Sequence, residues 1–188
     1  MQMSVVKIVI PLLSLESACW WNCPLLWRIR NHSSVRHYLT SKQSIPFLKH
    51  VVWFYRELLC KKSTMLFLVK KNKKAIGFVL LRNFSADAKK AEIGVMVRNS
   101  EQYRFIVPYI MTLAVYYSVH YLGLDSLYSY VSQENLLAQS LNSRFGGKLV
   151  PSDKRDLKYA VSRGDCVQSA PYKKIMSRIE RAIIVSRV

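Results

Sequence analysis

Arg30-Asn31-His32-Ser33-Ser34-Val35-Arg36 sets two arginines six residues apart around a run of short hydrogen-bonding side chains. The segment before it is apolar. Ala18 to Ile29 reads as a helix with Trp20, Trp21, Leu25 and Leu26 on one face and Ser14 or Ser17 as its cap. On its C-terminal side lies a second helical stretch, Ser44 to Leu59, with Pro46 in its first turn and His50 and Trp53 inside it. Two β-compatible runs come next, Met65 to Val69 and Ala75 to Leu81, joined by Lys71-Asn72-Lys73-Lys74 as a hairpin loop. Ala91-Glu92-Ile93-Gly94-Val95-Met96-Val97 is a further strand.

Outward from this centre the pattern stays mixed. Val5 to Ile10 is a first strand, stopped by Pro11. Pro108 to Tyr121 is a long helix closed by Gly123. Leu127 to Ser132 is a strand, and Asn135 to Arg144 is a short helix ended by Gly146-Gly147. Lys148 to Val150 and Leu157 to Ser162 form a final strand pair. The order βααβββαβαββ predicts an α/β fold, a mixed central sheet flanked by helices. Residues 1–163 make up this domain and residues 164–188 a C-terminal basic helical extension. In that extension Tyr172 to Val185 reads as a helix with Ile175, Met176, Ile179 and Ile183 in one stripe. The stripe packs on the domain or on a second copy in a homodimer; the alternative is a basic helix on a membrane surface.

Composition narrows the partners. With 188 residues the chain is long enough to bury a core, and 51% of its residues are hydrophobic. Cys19, Cys23, Cys60 and Cys166 have no framework spacing, which points to a reduced, cytoplasmic protein. Cys19-x3-Cys23 lacks a second matching pair, so no metal is expected. Lys7 to Leu13 has no clean cleavage site after it, and Phe105 to Leu122 is interrupted by Pro108, Ser118 and His120, so a strand and a buried helix fit better than membrane signals. The net charge of +18 favours anionic partners without naming one. Nine Lys/Arg between Lys61 and Lys90 face Asp87 alone. Nucleic acid rests on this charge only, with no zinc-finger spacing and no RNA-recognition motif.

The order of Arg30-Asn31, the helix with His50 and Trp53, the Glu92-Ile93-Gly94 strand and Val131-Ser132-Gln133-Glu134-Asn135 with Ala138 and Phe145-Gly146 resembles the GNAT acyltransferase superfamily. It is most similar to the amino-sugar-nucleotide N-acetyltransferases of the pseudaminic acid pathway type. The resemblance spans Val5 to Ser162 and implies a GNAT fold and acyl transfer from acetyl-CoA, or another acyl-CoA, to a primary amine such as an anionic nucleotide sugar. Similar motifs occur in acetyltransferases of protein N-termini and of antibiotics. A different class is also compatible: a non-catalytic domain of this fold that binds anionic partners.

The resemblance also assigns residues. Glu92 falls where relatives place a base or water-positioning carboxylate, a position equally suited to a glutamate that orders the sheet. Val95 and Val97 contribute backbone groups to the pantetheine arm. Gln102 and Arg104 fall in the pyrophosphate loop, and Asn135 near the pantetheine and phosphates. Arg30, Asn31, His32 and His50 line the acceptor side. Two departures stand out. The loop glycines that admit close backbone approach are replaced by Phe105 and Val107. The usual general-acid tyrosine, seven residues after the asparagine, is Asn142. Tyr130 on the preceding strand is the stand-in, a position that suits a core or pocket aromatic equally well. The altered loop leaves three options: a changed donor pose, a donor carried on an acyl carrier protein, or no donor.

Overall fold

The computed structural model describes residues 6–39, 41–60, 63–85, 87, 89–98 and 102–187. Among them nine strands form one sheet: β1 (Val6–Ile10), β2 (Leu13–Ser17), β3 (Met65–Lys71), β4 (Lys74–Ser85), β5 (Lys90–Val97), β6 (Ser126–Val131), β7 (Lys148–Val150), β8 (Leu157–Ser162) and β9 (Ile184–Arg187). Their spatial order is β7-β8-β6-β5-β4-β3-β2-β1-β9. Every neighbouring pair is antiparallel except β5 and β6.

Side chains alternate across the sheet as a period of two requires. Phe67, Val69, Val79, Leu81, Ala91 and Ile93 face a core closed by α4 (Val107–His120) and by α6 (Arg163–Gln168) and α7 (Ala170–Ile179). Leu66, Leu68, Phe78 and Leu80 face a smaller core under α1 (Cys23–Asn31) and α3 (Phe47–Tyr55). Between those two helices lies the single turn α2 (Ser33–Arg36), and α5 (Leu136–Arg144) comes after β6. In α4 Ile110 to Val115 and Tyr117 to Val119 are all buried, which explains its near-continuous apolar sequence. No helix among the described residues is long and apolar enough to cross a membrane.

Four expectations need correction. Ser14 and Ser17 do not cap a helix; they lie in β2, whose Leu-Ser-Leu-Glu-Ser alternation buries Leu13 and Leu15. Leu12, at φ 68°, turns β1 into it. The first helix starts later and runs through Arg30 and Asn31, after a 3-10 turn at Trp20–Asn22. Helix also does not run from Tyr172 to Val185. It stops at Ile179, and a 3-10 turn at Glu180–Ala182 leads into β9, which pairs with β1 at the sheet's edge. Of the stripe Ile175, Met176, Ile179 and Ile183, the first three are buried in the larger core and Ile183 packs against it partly buried, so it offers no apolar face to a membrane. Val5 lies outside the described residues.

Candidate active site

The sheet opens at its centre. β5 and β6 pair in parallel register only at Lys90–Ser126, Ala91–Leu127 and Glu92–Tyr128. Beyond Glu92, β5 stays paired with β4 as far as Val97, and β6 stays paired with β8 as far as Val131. The two strands diverge, so β5 backbone groups from Ile93 to Val97 that point toward β6 have no strand partner among the described residues. Val95 and Val97 sit in this stretch. A splay of this kind accepts an extended ligand as an added strand.

Glu92 stands at the fork. Its register neighbour on β4 is Arg82. Arg82 Nη2 donates to Glu92 Oε1 at 2.5 Å, and Asn83 Nδ2 donates to Oε2 at 3.2 Å. Asn83 reaches it from a β-bulge, with φ at 54°. Both carboxylate oxygens are therefore oriented by β4, on the sheet face that carries α1 and α3. Arg82 Nε is buried without a partner among the described residues.

Tyr128 and Tyr130 alternate on the same face of β6, their rings 6.0 Å apart and edge-on. Tyr130 OH donates to Asp153 Oδ1 at 2.7 Å, and Lys154 Nζ lies 3.6 Å from its ring centroid. The hydrogen bond to Asp153 is the main cause that pushes the Tyr130 phenol up to about 12; burial, Asp153 charge, Tyr128 and Glu92 add to it. Asp153 moves down correspondingly, chiefly through that same bond. A phenol held this way keeps its proton at every physiological pH, but the proton points at Asp153. Delivery toward the splay requires the hydroxyl hydrogen to turn.

Asn142 is consumed by structure. It accepts from Ser129 Oγ at 2.7 Å and donates to the Ala138 carbonyl at 2.8 Å, tying α5 to β6. Asn135 is the N-cap of α5, its Oδ1 accepting from the Ala138 N–H at 3.0 Å.

The loop before α4, expected from the sequence to meet the donor, is closed by its own backbone. Ile106 and Val107 both direct their N–H groups at the Tyr103 carbonyl, at 2.8 and 3.1 Å, and Pro108 has none. The start of α4 thus presents fewer free donors to an anion than an open helix N-terminus does. Gln102 and Arg104 are exposed there, with the Arg104 guanidinium 4.7 Å from the Phe105 ring centroid.

The four residues expected from the sequence on an acceptor side divide. Asn31 is a strut: its amide bridges both backbone groups of Ile45, at 2.8 and 2.9 Å, where Trp27 Nε1 also donates at 2.7 Å. His32 caps α2 through Nδ1. Arg36 donates to the Asn31 and Lys42 carbonyls and Arg30 Nη2 to the Ser41 carbonyl, which pins the segment between α2 and α3. Arg30 and His50 differ from the other two, because Arg30 Nη1 and His50 Nε2 are buried without partners among the described residues. Burial and then Arg36 lower Arg30; burial and then Arg30 lower His50, against a raising contact from the Cys23 backbone. Trp53 packs against the smaller core, 5.4 Å from the His50 ring. Sequence reasoning missed Arg82 and Asp153, the partners that orient Glu92 and Tyr130. Their offsets of 10 and 23 residues match no motif.

No protein-family model matches the chain, nor does any curated protein. Solved structures do. Spermidine N-acetyltransferase SpeG from Vibrio cholerae, in complex with CoA and spermine, aligns with a TM-score of 0.71 at 17% identity, over 84% of this chain and 99% of that one. A SpeG chimera with hSSAT gives 0.71 at 16% identity over 84% and 99%. The dodecameric SpeG structure in an intermediate state gives 0.66 at 17% over 84% and 97%. The fold is that of the GNAT acetyltransferases.

Proposed function

We propose that this chain is an N-acyltransferase that moves an acyl group from a coenzyme A thioester to a primary amine borne on an anionic small molecule, with an amino-sugar nucleotide as the best match. The observation that carries the reading is the splay of β5 from β6 after Glu92. It leaves main-chain groups of Ile93 to Val97 free to pair with a pantetheine arm, and one of their N–H groups near Val95 to polarise the thioester carbonyl. Glu92, held by Arg82 and Asn83, takes the amine proton through water. Tyr130 or water returns a proton to the leaving thiolate. Gln102 and Arg104 meet the donor phosphates by side-chain contact, and Asn135 lies at the start of α5 on the far wall. Both subsites fall within residues 1–163 in this reading, while α6 and α7 pack behind the sheet and β9 extends its edge.

Charge supports an anionic acceptor over a polyamine of the kind SpeG's structure contains. The chain has 29 Lys and Arg against 11 Asp and Glu, and two guanidinium nitrogens on this face of the sheet, Arg30 Nη1 and Arg82 Nε, are buried without partners among the described residues. A polycation meets repulsion there. The test is thiol release from acetyl-CoA with an amino-sugar nucleotide, and with spermidine for comparison. Turnover with the sugar and little with spermidine is expected. Turnover with spermidine alone moves the acceptor class to polycations, and no thiol from any amine sinks the enzymatic reading.

One observation favours a second reading. The closed start of α4, where Ile106 and Val107 are both spent on Tyr103, suits a domain of this fold that binds anions without catalysis, or a donor delivered on an acyl carrier protein. Titration with free acyl-CoA separates these from the first reading.

A further inference from the structure

Helix α3 is turned outward. A surface helix ordinarily buries its apolar stripe and exposes its polar one. In α3, His50 and Phe54 are buried, while Leu48, Val52 and Tyr55 are 76%, 65% and 58% exposed and Val51 is also exposed. With about 3.6 residues per turn, Leu48, Val51, Val52 and Tyr55 fall within an arc of roughly 100°. Lys49 and Arg56, both exposed, border that arc, and a shallow depression runs between Leu48, Lys49, Val52, Trp53 and Arg56. Glu57, the sole acid between Ser41 and Cys60, is buried, accepts from Thr64 Oγ1 at 3.3 Å and lies 3.6 Å from Arg56 Nε. Among the described residues α3 itself therefore presents an apolar and cationic face and contributes no carboxylate to it. Trp20 and Trp21 are exposed at the start of α1, which packs beside α3 through the Trp27–Phe47 ring contact.

We propose that this face of α3 seats on an acidic phospholipid surface. Leu48, Val51, Val52 and Tyr55 enter the boundary between headgroups and acyl chains, and Lys49 and Arg56 lie against anionic headgroups. Aliphatic and aromatic side chains bordered by Lys and Arg are the composition of an interfacial helix. Charge selects the occupant. A second copy would bring another +18 chain and a second Lys49–Arg56 border into contact, whereas an acidic leaflet attracts both. The inference is independent of acyl transfer, since no residue of the splay takes part. If both hold, docking brings the acceptor side, roofed by α3, to the membrane.

The experiment is co-sedimentation with vesicles of phosphatidylcholine alone and of phosphatidylcholine mixed with phosphatidylglycerol. Binding to the acidic vesicles only, weakening with salt, is expected. Leu48→Asp/Val52→Asp should weaken it about tenfold or more by removing two inserted side chains. Lys49→Glu/Arg56→Glu should weaken it comparably while leaving the apolar stripe in place. Leu136→Asp/Leu149→Asp makes the same charge change at two exposed positions off α3 and should retain most of the binding. Equal losses in all three variants would reduce the effect to net charge and overturn the proposal. So would the absence of vesicle binding, or a wild-type dimer by sedimentation equilibrium that Leu48→Asp/Val52→Asp dissolves. Circular dichroism checks that each variant is folded, and the Lys49/Arg56 pair decides the matter if the Asp pair is not.

Discussion

Glu92→Gln separates the proposed chemistry from sheet order. The substitution keeps the side chain's shape and removes its charge. Arg82 then faces a neutral amide in place of the carboxylate oxygen at 2.5 Å, and its Nε is already without a partner among the described residues. A hydrogen bond between charged groups is worth about 1.5–3 kcal/mol. The Arg82 side chain is 36% exposed against 8% for Glu92, so water recovers part of the loss. We expect a cost of about 1–2 kcal/mol, a shift of roughly 2–8 °C in melting temperature for a chain of this size. If Glu92 also takes the amine proton, turnover falls about 100-fold or more while acyl-CoA affinity stays level. Urea unfolding, steady-state thiol release and donor titration on one preparation read all three. Turnover within a few-fold of wild type, alongside the stability loss, would show Glu92 to be a sheet element only. An unchanged unfolding midpoint would refute the ion-pair account.

The same geometry predicts four further outcomes. Asn31→Ala removes both bridges to Ile45 and should cost about 2–3 kcal/mol, with faster proteolysis between α2 and α3, whereas an acceptor contact would alter KM and leave unfolding unchanged. His50 is lowered by burial, so the unfolded chain binds its proton first. Its contribution to stability is full above the ordinary histidine value and is lost as pH falls toward the folded value, and His50→Leu should flatten the decline in urea midpoint between neutral and mildly acid pH. Tyr130 is raised to about 12, so the stability it draws from Asp153 is present below the ordinary tyrosine value and lost as pH climbs through the folded one; Asp153→Asn should bring tyrosinate absorbance in at lower pH. Phe105 is 74% exposed, so Phe105→Gly/Val107→Gly should fold, tighten donor binding and flatten its salt dependence, and a folded variant that binds no better shows the loop was never a phosphate cradle.

The elements easiest to read were those whose period and punctuation agreed. The Lys71–Lys74 turn puts Asn72 and Lys73 at φ 49° and 65°, matching its polar sequence, and Gly123 at φ 64° stands after α4 as its stop. β2 was hidden because its serines also suit a cap, although Leu13 and Leu15 alternate as a strand. β9 was hidden because Ile179 and Ile183 keep helical spacing across a change of structure. In the site, the family resemblance named Asn31, His32 and Asn135 but could not say that their amide and imidazole groups are spent on backbone. That depends on Ile45, Ser34 and Ala138, and on where the chain turns between them. The roles of Arg82 and Asp153 depend on strand register and on the β7–β8 connection, which no single-sequence pattern encodes.

Donor binding is the most direct test of the central claim. Isothermal titration of the folded protein with acetyl-CoA, longer acyl-CoAs and free CoA, at low and moderate salt, reads whether the β5–β6 splay is a donor cleft. Saturable binding of the thioesters, weakened by salt because exposed Arg104 and Gln102 replace a glycine cradle, is the predicted result. No heat from any acyl-CoA at millimolar concentration in low salt, with circular dichroism showing an intact fold, would contradict it.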